Sequence, residues 1–69
     1  MLDAISDRID QSQGAIELIV HMDTYGQFHA NLVQVVREPD GGTTEVLHGH
    51  GSAYSFIKVL ERLNEAIQK

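Results

Sequence analysis

Between Ala15 and Asp23 the chain alternates with a period of two. Ile16, Leu18, Val20 and Met22 point one way, and Glu17, Ile19, His21 and Asp23 the other. That period predicts a strand with one strongly apolar face. Asp23 to Gln27 supplies a turn centred on Gly26, after which Phe28 to Arg37 resumes with β-branched residues suited to a pleated surface. Glu38-Pro39-Asp40-Gly41-Gly42 is the strongest turn signal, because Pro39 pre-sets φ and Gly41 or Gly42 accepts a positive φ. A third strand, Thr43 to His48, follows. With connections this short, a meander of three antiparallel strands is the economical topology.

The period changes to that of a helix at both ends. Leu2, Ile5 and Ile9 recur at spacings of three and four, with Asp3 as a cap and Gly14 as a stop for a short first helix. The last helix, Ala53 to Ile67, is the strongly amphipathic one. Phe56, Leu60, Leu63 and Ile67, flanked by Ala53, Val59 and Ala66, form a broad apolar stripe expected to cover Ile16, Leu18, Val20 and Met22. Ser52 is placed to cap it, Tyr54 to pack at the core edge, and Glu65 with Lys69 to form a favourable i, i+4 pair. The predicted architecture is α+β, in the order α-β-β-β-α: a short helix over 1–13, a meander over 15–50 and a helix over 52–68, all in one domain, 1–69.

The face of the sheet turned away from the last helix carries Ile19, Val33 and Val35, with Val46 or Leu47 beside them depending on register. Such a patch needs a cover. The first helix could fold over it, or a second copy or another protein could; a homodimer is the favoured expectation, because a chain this short buries only about 60% of its unfolded surface. Tyr25, at a hairpin tip, is a further candidate interface anchor.

Composition narrows the functional classes. Five Lys and Arg against ten Asp and Glu give a net charge of −5, which opposes attraction to phosphate backbones and disfavours direct nucleic-acid binding. Lys58 and Arg62 lie one helical turn apart beside Glu61 and Glu65, as on a solvated surface. Without cysteine, disulfides and thiolate zinc sites are excluded. No basic start or apolar run marks a signal peptide, and no window approaches the roughly 18 apolar residues of a membrane span, so a soluble cytoplasmic protein is expected.

Candidate chemistry centres on His48-Gly49-His50-Gly51-Ser52, read as a turn between the last strand and the last helix. Glycines there would let backbone N–H groups converge on a phosphate or nucleotide, assisted by the helix dipole and the Ser52 hydroxyl; the spacing of a P-loop is absent. The four histidines offer a metal or pH-switch alternative. A three-residue loop, Thr24-Tyr25-Gly26, sets His21 opposite His29. If Pro39 to Gly42 form the second loop, His48 opposes Val33, His50 opposes Asn31, and His21, His29, His48 and His50 share one face. If Gly42 pairs with Glu38 instead, His48 and His50 face the last helix, since a slip of one residue reverses a strand. Ser52 with His50 or His48 and an Asp could be written as a nucleophilic triad, but a triad is defined by geometry, and so short a chain has little interior for a water-excluding pocket. No enzyme and no cofactor are expected.

The order of elements resembles that of double-stranded RNA-binding domains, which also run α-β-β-β-α and enter the last helix through a glycine and serine turn. The likeness spans nearly the whole chain and implies the fold. That family's basic cluster falls near Ser52 to Ser55, where this chain has Ala53 and Tyr54, so RNA binding is not implied. Gly49 to Ser52 and Glu65-Ala66-Ile67 resemble HicB-type antitoxins, whose third strand ends at a Gly-x-[Ser/Thr] turn into a helix ending Glu-Ala-Ile; early in the helix, where that family has Glu-Ala, this chain has Ser55-Phe56. In size and charge the chain is also similar to small acidic phage inhibitors such as anti-CRISPR proteins. The HicB-type resemblance implies a module that neutralises a protein partner by binding. The expectation is therefore a homodimeric inhibitor or regulator of phage or bacterial type, whose acidic residues Asp3, Asp7, Asp10, Glu61 and Glu65 could oppose a basic partner; the alternative is a phosphate-ligand, nucleotide or metal binder using the His-Gly-His-Gly-Ser segment.

Overall fold

The computed structural model describes residues 2–12 and 15–68; Met1, Gln13, Gly14 and Lys69 lie outside the description, and with them the expected helix stop at Gly14 and the Glu65 to Lys69 pair. The elements are α1 (Asp3–Gln11), β1 (Ala15–Met22), β2 (Phe28–Arg37), β3 (Thr43–Ala53) and α2 (Phe56–Gln68). This is the α+β order that the alternation predicts, with the strands in one open antiparallel sheet ordered β1-β2-β3. Among the described residues, no helix is long and apolar enough to cross a membrane.

Both hairpins use the same device. In the first, Asp23 N donates to Gln27 O at 2.9 Å, Gly26 N donates to Asp23 O at 3.2 Å, and Gly26 has φ 83°. In the second, Glu38 N donates to Gly42 O at 2.8 Å, Gly41 N donates to Glu38 O at 3.0 Å, and Gly41 has φ 93°. Each is a three-residue loop closed by a residue that must turn left-handed, the role glycine fills at least cost.

The two registers open for β3 both occur. From Arg37 opposite Thr43 to Val33 opposite Leu47 the strand follows the pairing in which Gly42 meets Glu38; from Leu32 opposite Gly49 to Phe28 opposite Ala53 it follows the other. His48 is the extra residue between them, a β-bulge that resets the alternation. The four-histidine face is therefore corrected: His50 lies across from Asn31 on the outer face, while His48 turns to the helical side, where it meets Gln34 and Arg8.

β3 also runs further than expected. Gly49, His50, Gly51 and Ser52 are strand residues and not a turn, so Ser52 does not cap the helix. The capping position belongs to Ser55, whose Oγ accepts the Lys58 N–H at 3.4 Å and whose carbonyl accepts the Val59 N–H.

α2 lies directly over β3. Val59, Leu63 and Ile67 are buried against Ala30, Leu32 and Ala53, with Leu60 packed at the edge. The stripe is rotated from the expected one, leaving Phe56 53% exposed and Ala66 at the surface. Because α2 sits over β3, it does not reach across β1, and Leu18 and Met22 remain 44% and 59% exposed. Tyr54 is also exposed instead of packing at the core edge.

α1 packs beside α2 on the same side of the sheet. Ile5 joins the buried cluster, and its backbone N–H, one of the orphan donors of a helix start, is received by Asn64 Oδ1 at 3.0 Å. Asn64 is buried and replaces the expected Asp3 cap; Leu2 occupies the N-cap position without a side-chain cap. At the other end of α1, Arg8 Nη2 donates to the Ile67 carbonyl at 3.3 Å, in the last turn of α2. Both helices therefore cover one face of the sheet.

Candidate functional site

The opposite, outer face is left without a helix. Reading across β1, β2 and β3, its rows are His21, His29 and Ser52; then Ile19, Asn31 and His50; then Glu17, Val33 and Leu47; then Ala15, Val35 and Glu45. One end is imidazole and amide, and the middle and other end are apolar with a carboxylate on each side. The expected interface residues Ile19, Val33 and Val35 share this face, and the register settles Leu47, 60% exposed, as their neighbour, with Val46 on the helical side. Tyr25 stands apart at the hairpin tip, 87% exposed.

Three of the four histidines form a ladder. The His21 and His29 rings stack at 5.1 Å with 24° between planes, and His29 and His50 at 6.0 Å with 20°. Ring nitrogens lie in the ring plane, so near-parallel rings aim their lone pairs alongside one another and not at a shared point. Among the described residues no group of three or more ligating side chains is placed to hold a metal ion. Coordination by His21, His29, His48 and His50 together is excluded by the bulge, which puts His48 on the other face.

Asp23 anchors the ladder. Its Oδ1 accepts the backbone N–H groups of Tyr25 and Gln27 at 2.9 and 3.0 Å, and its Oδ2 pairs with His29 Nε2 at 2.9 Å. The His29 hydrogen bond, followed by the Gln27 N–H, holds its carboxyl below the usual aspartate range. Sequence reading missed this role, although an Asp before a Gly-containing loop is the signal for such an arrangement.

Asn31, His50 and Ser52 form a second chain. His50 Nδ1 donates to Asn31 Oδ1 at 2.8 Å, which leaves Nε2 to accept from Ser52 Oγ at 3.4 Å. The order matches that of an orienting group, a base and a nucleophile. The Ser52 to His50 contact is longer than proton transfer requires, and the chain lies on an open strand face, where the donors that would stabilise an oxyanion have no enclosing wall. The sequence set Asn31 opposite His50 in one of its two registers, and that is the register this half of β3 adopts.

The glycines have a packing role. A Cβ on Gly51 would meet the Leu63 backbone nitrogen at 2.6 Å, and one on Gly49 would meet Ile67 Cγ1 at 2.7 Å. Their bareness lets α2 rest on β3, so Gly49 and Gly51 do not form the N–H cradle expected of His48, Gly49, His50, Gly51 and Ser52. His48 is held by Gln34 Oε1, which accepts from Nε2 at 2.8 Å, while Nδ1 faces Arg8 Nη1 at 3.5 Å. An open depression of about 460 Å³ lies nearby, beside Gln27, Ser52, Ser55, Lys58 and Arg62; the lysine and arginine are solvated.

No protein-family model, curated protein or solved structure matches the chain.

Proposed function

We propose that the chain is a small non-enzymatic protein-binding module, working as a homodimer, that inhibits or regulates a partner protein by covering part of its surface. The observation that carries this reading is the placement of both helices on one side of the sheet. It leaves Ile19, Val33, Val35 and Leu47 together on the other side. An apolar centre with a polar rim is the anatomy of a protein-docking surface. The histidines supply hydrogen-bonding capacity at one end, and Glu17 and Glu45 border the apolar centre. The acidic residues of α1 and α2 belong to the opposite layer, where charge keeps the module soluble and can steer a basic partner.

The test begins with isolation of the tagged chain from cells together with whatever protein accompanies it. That protein is then purified separately and titrated against the wild type and Leu47→Glu. Because Leu47 is 60% exposed, the variant should fold normally by circular dichroism. Binding weakened at least about tenfold, or about 1.4 kcal/mol, is expected. Equal affinity of the two would place the partner elsewhere, and a chain that never carries a second protein would overturn the reading.

A further inference from the structure

The geometry points to the free edge of β1 as the site where a second copy of this chain docks, extending the sheet through a two-fold axis beside Ile19. This rests on the homodimer reading and moves the contact from the outer face to the edge, leaving that face open to a different protein.

The two sheet edges are not alike. β3 is interrupted by the bulge at His48, a device that discourages pairing with another chain. β1 is regular over Ala15–Met22, has no proline, and carries one acidic residue, Glu17. Ile16 and Val20 pack partly against the core, but Leu18 and Met22 on the helical side and Ile19 on the other are exposed. A long apolar edge without protection is a template for another strand.

Hydrogen bonding fixes which groups are available. Asp23 N donates to Gln27 O, so bonded pairs alternate from there: His21 with His29, Ile19 with Asn31, Glu17 with Val33. The N–H and C=O groups of Ile16, Leu18, Val20 and Met22 consequently face the free edge. Side chains across an antiparallel pair share a face, so a symmetric pairing must match odd with odd and even with even.

Charge selects the register. With Ile19 opposite Ile19 of the second copy, Leu18 meets Val20, Ile16 meets Met22, and Glu17 meets His21, each contact occurring twice. Glu17 then lies across from an imidazole, a favourable cross-strand pair, and every other pair within Ile16 to Met22 is apolar. Shifting the axis to Leu18 would set Glu17 opposite Ile19 and His21 opposite Ala15. The edge is self-complementary in the first register.

Sedimentation equilibrium of the full chain reads the outcome. The expected wild-type mass is twice 7.7 kDa. Leu18→Pro removes an N–H that faces the free edge, and Ile19→Lys sets like charges across the axis; each should raise the dissociation constant at least about tenfold. Leu47→Glu should leave the mass unchanged. The double exchange Glu17→His with His21→Glu keeps the cross-strand pair and should remain dimeric, whereas Glu17→Lys alone should weaken the dimer. Circular dichroism checks each fold, and Ile19→Lys decides the matter if the proline variant unfolds. A monomeric wild type at 100-fold the concentration used for partner titration, or a dimer indifferent to both edge variants, overturns the edge proposal while leaving partner binding testable by Leu47→Glu. Dissociation by Leu47→Glu alone overturns it in favour of face-to-face association.

Discussion

A methyl group on Gly51 would lie 2.6 Å from the backbone nitrogen of Leu63. The obstacle is helix backbone and cannot rotate away, so Gly51→Ala must lift α2 off β3 and loosen Val59, Leu63 and Ile67 together. At Gly49 the nearest atoms belong to the Ile67 and Leu63 side chains, which can adjust. Urea unfolding should find Gly51→Ala destabilised by about 3 kcal/mol and Gly49→Ala by about 1 kcal/mol, within the usual range for overpacking. Equal costs, or a smaller cost at Gly51, would contradict this packing.

Asn64 ties the two helices together through the Ile5 N–H. Asn64→Leu leaves that donor buried without a partner, a loss of about 1–3 kcal/mol, and α1 is short enough to depend on its docking. Hydrogen exchange should accelerate at the Ile5 amide and through α1 while the β2 amides stay protected. Uniform acceleration along the chain would instead mean that the helices and sheet unfold as one unit.

The alternation from Ile16 to Met22, the two glycine-containing loops and the terminal helical periods suffice to order the elements, because each is a local pattern, but they end β3 short of Ala53 and start α2 before Phe56. The bulge is not local. Whether β3 pairs as though Gly42 or Thr43 met Glu38 depends on which residues α2 needs beneath it, and the chain uses both pairings by spending His48 between them. The same blindness hid the purpose of Gly49 and Gly51, which read as turn residues until Leu63 and Ile67 are seen above them. The apolar outer face was legible from Ile19, Val33 and Val35. Asn31 opposite His50 appeared in one of the two registers, whereas the hold of Asp23 on His29 was not legible, because it arises only when the first loop closes against β2.

The Asp23 carboxyl is held below its ordinary range by His29 and the loop N–H groups. A carboxyl lowered on folding contributes stability that is present above its unfolded pKa and is lost as pH falls through the folded one. The melting temperature of the wild type should exceed that of Asp23→Asn near neutral pH, and the difference should close on acidification below the ordinary aspartate range. A gap that persists unchanged at low pH would show that the asparagine disturbs loop geometry, not charge.

Deleting His48 tests the register itself. As the bulge residue, His48 shares the helical side with Gly49, so its removal restores strict alternation: Leu47 outward, Gly49 inward, His50 outward, Gly51 inward. A deletion in the middle of a strand ordinarily turns half of it inside out, but here each remaining side chain keeps its face. The shortened chain should fold and keep the contact between Asn31 and His50 in nuclear Overhauser spectra. It should lose the hydrogen bond to Gln34 and the Arg8 contact, at a cost of about 1 kcal/mol. An unfolded deletion variant, or one in which His50 no longer meets Asn31, would mean that the extra residue lies elsewhere in the strand.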